Sequence, residues 1–146
     1  MTRELSTSVV ITTYNRPAYL SAAIDSVLAQ SRPASEIIVV DAGSPEPAIV
    51  SSDRSVRLIR TENHGPATAR NMGVEASTGD ILLFLDDDDG WAPNRSANAL
   101  DVHRFYPLAT CRQTAFDDCH PPIFRDSPST RTTPGEQAAR ARPRWR

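Results

Sequence analysis

The sequence contains no lysine, since all 16 of its basic residues are arginine. This absence argues against a receiver-type signalling domain, an α/β class that needs a lysine at a late strand and paired acids after the first. Aromatic residues make up only 6% of the chain, and the formal net charge is −2. Neither value gives a reason to expect binding to nucleic acid or to an anionic membrane surface.

Cysteines are also scarce. The chain has two, Cys111 and Cys119, and they form no C-x-x-C pair. His120 follows Cys119 directly, but one adjacent pair without further ligands does not make a zinc site. We therefore expect these cysteines to be structural or incidental.

Long apolar runs are missing as well. No stretch of the sequence approaches the ~20 residues that a membrane-spanning helix needs. The first residues are polar and lack the apolar segment of a signal peptide. These absences predict a protein without a transmembrane segment, in a reducing, cytoplasmic setting.

What is present is an alternation of short strands and helices. Leu20, Ile24 and Val27 recur at helical spacing and predict a first helix. Asn15 is its predicted N-cap, and Pro17 lies in its first turn. Because strands and helices alternate, we predict an α/β fold: a Rossmann-like parallel sheet with flanking helices. The predicted strands are residues 8–12, 36–41, 56–60 and 81–85, and the second helix is residues 67–77.

The composition changes after about residue 105. Proline and arginine become frequent, and no apolar periodicity continues. We therefore predict a nucleotide-binding domain at residues 6–105 and an irregular, disordered tail at residues 106–146. One hypothesis for the abrupt change is a truncated or frame-shifted gene.

Polar clusters follow three of the predicted strands, at residues 12–16, 41–44 and 86–89. In parallel α/β sheets, ligands bind outside the carboxyl ends of the strands, so these clusters predict a single site. Four consecutive aspartates, residues 86–89, repel one another unless a cation compensates them, and their oxygens suit Mg²⁺ or Mn²⁺. The alternative interpretation is an acidic surface loop that happens to follow a strand.

The other candidates also have two interpretations each. Asp41 either faces a base or ribose or caps the turn that follows it. Tyr14 and Arg16 either stack on a base and pair with phosphate or lie on an ordinary surface. Arg70 is more often a solvated helical charge than a ligand. Gly73 is costly inside a helix, which indicates close packing of that helix against the sheet.

Four segments together resemble the family 2 glycosyltransferases, in that family's order and with roughly its spacing. The resemblance covers about two thirds of the chain. It implies a GT-A fold, a nucleotide-diphospho-sugar donor and a divalent cation, Mn or Mg. The segments are residues 9–16 (VVITTYNR), 37–44 (IIVVDAGS), 65–73 (GPATARNMG) and 79–89 (GDILLFLDDDD).

Carried over by position, the resemblance implies a nucleotide pocket lined by Thr12, Tyr14 and Arg16, with Tyr14 against the base. Asp41 would accept a hydrogen bond from the base, although Ala42 stands where the family usually has a second acidic residue. Arg70 would approach the base or a phosphate.

The aspartate run matches the family's D-x-D motif. By this resemblance Asp87 would reach the ribose and Asp88 would hold the metal. Asp86 is a second candidate ligand, because four aspartates leave the register open by one residue.

The family's catalytic base lies well beyond the D-x-D motif, in an acceptor-binding half that this sequence does not match. Asp117 and Asp118 are poor candidates for it, so the catalytic residue stays unknown. The predicted function is metal-dependent transfer of a sugar to an unknown glycan or lipid-linked acceptor, by a truncated chain that is weakly active or inactive alone. The alternative is a non-catalytic nucleotide-sugar-binding module or a gene remnant.

Overall fold

The computed structural model describes residues 4–105. The predicted tail at residues 106–146, both cysteines and the Asp117–Asp118 pair lie outside the described residues. The elements run in the order β1 (Thr7–Thr13), α1 (Pro17–Leu28), β2 (Glu36–Asp41), β3 (Val56–Arg60), α2 (Pro66–Ala76), β4 (Ile81–Asp86) and α3 (Arg95–His103).

The four strands form one parallel sheet in the order β3-β2-β1-β4. β1 lies between two neighbours and is covered on both faces, which accounts for three consecutive apolar residues, Val9, Val10 and Ile11, at its centre. The predicted α/β fold is thereby confirmed. In the strand register, Thr13 lies opposite Asp41 and Thr12 opposite Asp86. The carboxyl ends of β1, β2 and β4 are therefore level with one another.

Helices cover both faces of the sheet and give two separate cores. On one face, α1 and α3 pack on alternate strand residues such as Val9 and Ile11. On the other face, α2 packs on Val10 and Ile38 through Ala69. None of the helices among residues 4–105 is both long and apolar enough to cross a membrane.

The prediction that Asn15 caps α1 is wrong. The helix has Arg16 as its N-cap, without a side-chain cap hydrogen bond. Asn15 instead has a φ of 53°, and its N–H donates to Ser44 Oγ at 2.8 Å. Asparagine is one of the few residues with a side chain that visits the left-handed region readily, so it forms the turn before the helix.

β4 has an open edge among the described residues, where its only strand partner is β1. Phe84 projects from this strand and is 45% exposed. An unpaired strand edge with apolar side chains is a template for pairing with another chain. The edge therefore favours self-association.

We expect the purified 146-residue chain to self-associate with rising concentration, and Phe84→Lys to raise the monomer fraction. A lysine on an edge strand opposes pairing because its charge would have to be buried. Sedimentation velocity over a concentration series measures this. Ile49→Lys is the matched control, since Ile49 is 85% exposed but lies outside the strands. A monomeric wild-type chain, or equal effects of the two substitutions, would contradict the prediction.

Candidate functional site

A cleft of about 410 Å³ opens at the carboxyl ends of the strands. The strand order places β2 and β3 on one side of β1 and β4 on the other, so the order in which strands are added to the sheet switches sides between β1 and β4. Parallel sheets bind ligands at such switch points. The lining residues are Thr12, Thr13, Tyr14, Arg16, Ala42, Asn63, Gly65, Pro66, Ala69, Arg70, Asp86, Asp87 and Asp88.

The aspartate run begins inside β4 and is tied to β1. Asp86 is the last residue of the strand, so the run leaves the sheet beside the end of β1. Asp87 is buried, and its Oδ2 accepts a hydrogen bond from Thr13 Oγ1 at 2.7 Å. This buried link between two strand ends fixes the position of Asp87.

Two arginines compensate the aspartates. Arg16 Nη1 lies 2.7 Å from Asp88 Oδ2 and 3.4 Å from Asp87 Oδ1. Arg70, on α2, pairs with Asp86. The hydrogen bond to Asp88, and then the charges of Asp87 and Asp88, raise the pKa of Arg16 above its ordinary value. The acidic run is therefore held between the start of α1 and the exposed side of α2.

The compensation is incomplete. Burial raises the pKa of the Asp89 carboxyl, and the neighbouring charges of Asp88 and Asp86 raise it further. The backbone N–H of Asp89 donates to the Asp86 carbonyl at 3.1 Å, which closes a turn and keeps the carboxylates near one another. Excess negative charge next to the cleft favours a cation there.

Asp41 lies beneath the cleft and does not line it. The residue is 0% exposed. Its Oδ1 accepts hydrogen bonds from Ser44 N at 2.9 Å and Ser44 Oγ at 2.5 Å, and its Oδ2 accepts one from Ala48 N at 3.0 Å. Burial by itself raises the pKa of Asp41, but these hydrogen bonds and the Arg60 charge outweigh it, so the pKa is below its ordinary value.

We therefore expect acid to weaken the fold through Asp41. Its native pKa is lowered, so its stabilising contribution is complete above the unfolded pKa of about 3.9 and is lost as pH falls through the native pKa. Asp41→Asn should lower the free energy of unfolding at pH 7 by about 1–3 kcal/mol and flatten its dependence on pH below about 5. Urea denaturation at several pH values measures both changes.

Glu36 also has a lowered pKa, because hydrogen bonds from Ser8 and Thr78 outweigh the effect of burial. Protonation of Glu36 therefore destabilises the fold as protonation of Asp41 does. Part of the pH dependence of the free energy of unfolding should remain in the Asp41→Asn variant. A slope equal to that of the wild-type chain would contradict the role given to Asp41.

The structure brings together seven of the eight site residues taken from the sequence, and Asp41 is the exception. Thr12 and Tyr14 lie on one side, with Tyr14 48% exposed. Arg70 faces them from α2 and is engaged by Asp86, so it is not simply a solvated charge.

Sequence reasoning missed one wall of the cleft and the Thr13 hydrogen bond. That wall is formed by Asn63, Gly65 and Pro66, for which the sequence motifs predict no site role. Gly65 has a φ of 88° and is the N-cap of α2, with Pro66 in the first turn. Glycine followed by proline after a strand is a usable signal for a helix that starts at the strand ends.

The carboxylates do not form a closed metal cage by themselves. Within residues 4–105, no three His, Cys, Asp or Glu side chains converge on one point as ligands for a metal ion. Mg²⁺ and Mn²⁺, however, commonly use one or two carboxylates and take further oxygens from a phosphate. The exposed oxygens of Asp86 and Asp88 fit that mode of binding.

Comparison with known proteins gives a consistent result. The glycosyl transferase family 2 model matches residues 8–142. An uncharacterised glycosyltransferase of Haemophilus influenzae is 41% identical over 98 residues, covering 65% of this chain and 33% of that protein. The glycosyltransferase GlyG of Streptococcus pneumoniae is 36% identical over 89 residues, covering 56% of this chain and 30% of GlyG. The match thus spans a third or less of these relatives' length.

Solved structures show the same fold. TarS 1-349 of S. aureus, in complex with UDP, matches with a TM-score of 0.57 and 23% identity, over 68% of this chain and 32% of that one. The mannosyltransferase PcManGT of Pyrobaculum calidifontis, in complex with GDP-Man and Mn²⁺, matches with a TM-score of 0.55 and 26% identity. That match covers 69% of this chain and 32% of PcManGT.

Proposed function

The chain belongs to the family 2 glycosyltransferases, and we propose that its cleft binds the nucleotide diphosphate part of a nucleotide-diphospho-sugar donor. The observation that carries the proposal is the composition of the cleft. Two arginines, three aspartates and the start of α2 line one opening at the carboxyl ends of β1 and β4. Basic groups that can meet phosphates and acidic groups that can meet a cation thus share one space.

The basic groups of the cleft can compensate the negative charge of the donor's diphosphate. Arginine pairs with phosphate oxygens through two parallel N–H groups, so Arg16 and Arg70 are suited to the diphosphate. The first N–H groups of a helix also favour phosphate, and α2 begins at the cleft. Tyr14 is half-exposed and can stack on the base, and Thr12 lies beside it.

The acidic groups of the cleft can bind a divalent cation, Mn²⁺ or Mg²⁺. We assign Asp88 and Asp86 as its ligands, because each exposes part of its carboxylate to the cleft. We assign Asp87, which accepts a buried hydrogen bond from Thr13, to a ribose hydroxyl. The bound cation would supply Lewis-acid stabilisation of the charge on the departing diphosphate. The two arginines hold the carboxylates in place beforehand and become available to the phosphates when the cation compensates the aspartates.

The reaction proposed is sugar transfer to a hydroxyl of an unknown acceptor, a glycan or a lipid-linked saccharide. Such a transfer needs a base to remove the hydroxyl proton. The carboxylates that line the cleft are the three already assigned to cation and ribose, so we assign no base within residues 4–105. Weak or absent sugar transfer by the chain alone stays a prediction. A cytoplasmic location stays a prediction.

Calorimetry tests the proposal. The 146-residue chain is titrated with UDP, GDP and dTDP, each with Mn²⁺, with Mg²⁺ and with EDTA. We expect at least one nucleotide to bind with a cation and to lose most of its affinity in EDTA. Mn²⁺ alone should bind more weakly than Mn²⁺ with nucleotide, because the donor completes the ligand set. If no nucleoside diphosphate binds under any of these conditions, the proposal is wrong.

A non-catalytic donor-binding module is the second candidate, because no base is assigned among the described residues. Release of free UDP from a UDP-sugar by the purified chain distinguishes the two. Donor turnover, with or without an added acceptor, would favour an enzyme. Tight donor binding without any turnover would favour the module.

A further inference from the structure

A chain of hydrogen bonds connects the end of β2 to the turn before α1. Asp41 holds Ser44 by two hydrogen bonds, from the Ser44 N–H at 2.9 Å and from its hydroxyl at 2.5 Å. The same hydroxyl accepts the N–H of Asn15 at 2.8 Å. Asp41 and Ser44 are 0% and 3% exposed. The connection is therefore shielded from water at its Asp41–Ser44 end, whereas its last hydrogen bond, to Asn15, is part-buried.

Asn15 needs this support. Its φ of 53° lies in the left-handed region, which asparagine adopts more readily than most residues but at a higher cost than glycine. Asn15 is exposed and makes no side-chain cap for α1, and the hydrogen bond to Ser44 ties its backbone to the loop after β2. Asn15 lies between Tyr14 and Arg16, and both of these line the cleft. The conformation of Asn15 thus sets the direction of both side chains.

The other end of the chain is fixed too. Arg60 donates to the Ser44 carbonyl at 2.6 Å, and the Ala48 N–H donates to the second Asp41 oxygen at 3.0 Å. Both carboxylate oxygens of Asp41 are therefore occupied within the protein. Ala42, and not Asp41, lines the cleft at the end of β2.

We propose that Asp41 and Ser44 are positioning residues, which act on the donor only through Asn15 by fixing the turn that presents Tyr14 and Arg16 to the cleft. The inference rests on the proposed function for the identity of the ligand. The alternative is a direct contact between Asp41 and the base. For that contact the Asp41 carboxylate would have to break the hydrogen bonds that hold the loop.

The first test needs no ligand. In the wild-type chain, NMR should show a strong intraresidue N–H to Hα cross-peak for Asn15, which is the signature of a positive φ, and slow exchange of its amide proton. Ser44→Ala should weaken the cross-peak and speed the exchange. Ser96→Ala is the matched control, since Ser96 is equally buried but bonds Gln30 and Arg32, away from the cleft. An unchanged Asn15 signal in Ser44→Ala would overturn the proposal.

The second test measures binding of UDP and of GDP, each with Mn²⁺, by calorimetry. Ser44→Ala and Asp41→Asn should both weaken binding about 3- to 10-fold, the usual worth of one hydrogen bond. Both should do so by the same factor for the two nucleotides, because the turn and not the base is affected. If Asp41→Asn changes the UDP-to-GDP preference while Ser44→Ala does not, Asp41 contacts the base and the proposal is wrong.

A third pair of variants guards against loss of folding. Asn15 is exposed, so substitutions there should leave the core intact. Asn15→Ala should weaken nucleotide binding as Ser44→Ala does, whereas Asn15→Gly should retain it because glycine adopts positive φ freely. Equal affinities for these two variants would overturn the proposal. If the wild-type chain binds neither nucleotide, the proposed function fails, and the Asn15 signals still decide whether Ser44 holds the turn.

Discussion

Replacing Asp88 by asparagine is expected to remove most of the cation-dependent nucleotide binding of this chain. The substitution keeps the size of the side chain but removes its charge, and with it a ligand for the cation. Loss of even an outer partner of a metal ligand typically costs about 10–100-fold in affinity, and loss of the ligand itself should cost at least that much. The fold should persist, because the Asp88 side chain is 51% exposed.

Calorimetry with UDP and GDP, in Mn²⁺ and in EDTA, separates the cation-dependent part of the affinity from the rest. Asp89→Asn is the control, because it makes the same change in charge at the next residue, which does not line the cleft. We expect that control to bind almost as the wild-type chain does. If Asp88→Asn keeps its full response to Mn²⁺ and Asp86→Asn loses it, the cation ligand is Asp86. The aspartate run then matches the D-x-D motif in a different register.

The fold could be predicted from the sequence because its strands are buried on both faces. The predicted bounds of β2 and β3 agree with the structure, whereas β1 is one residue longer at each end and β4 is one residue longer at its carboxyl end. Runs such as residues 37–40 are apolar at every position, which a helix with one exposed face would not tolerate. The strand order needs more than the pattern, since nothing in β4 itself says that it pairs with β1 and not with β3.

The meeting of the strand ends could also be predicted, because parallel strands place their carboxyl ends on the same side. The partners of the aspartates could not. Arg16 and Asp88 are 72 residues apart, and their ion pair depends on β1 lying beside β4. The same holds for the hydrogen bond between Thr13 and Asp87, which are 74 residues apart.

Asn15 and Asp41 illustrate a different limit. Both residue types serve at helix caps, at turns and at binding sites, and their side-chain chemistry alone does not choose among these. Neighbours from other segments decide the role. The Asn15 N–H donates to Ser44 and the residue lies in the turn before the helix, while Ser44 and Ala48 both donate to the Asp41 carboxylate.

Gly73 is the position where helix propensity and the packing of the fold make opposite predictions for one substitution. In an isolated helix, Gly→Ala is stabilising by about 1 kcal/mol. In this fold a Cβ at residue 73 would lie 2.3 Å from Val10 Cγ1 and 3.1 Å from Val10 Cγ2. Val10 is 1% exposed on the central strand, and its branched side chain has little rotameric freedom. Helix α2 would have to move away from the sheet to relieve the contact.

We therefore expect Gly73→Ala to lower the free energy of unfolding by about 1–3 kcal/mol, the usual cost of overpacking a core. For a domain of this size each kcal/mol corresponds to about 4–8 °C in Tm. Urea denaturation measures the change. Gly90→Ala is the control, because a Cβ there meets nothing within 4 Å, and it should be neutral or slightly stabilising.

A second substitution identifies the clash as the cause. Val10→Ala removes the two methyl groups that a Cβ at residue 73 would meet, so the Val10→Ala and Gly73→Ala double variant should be more stable than the sum of the single effects predicts. The same movement of α2 would carry Arg70 away from Asp86, so Gly73→Ala should also weaken nucleotide binding, whereas Gly90→Ala should not. A Gly73→Ala chain as stable as the wild type would show that the helix propensity outweighs the contact with Val10.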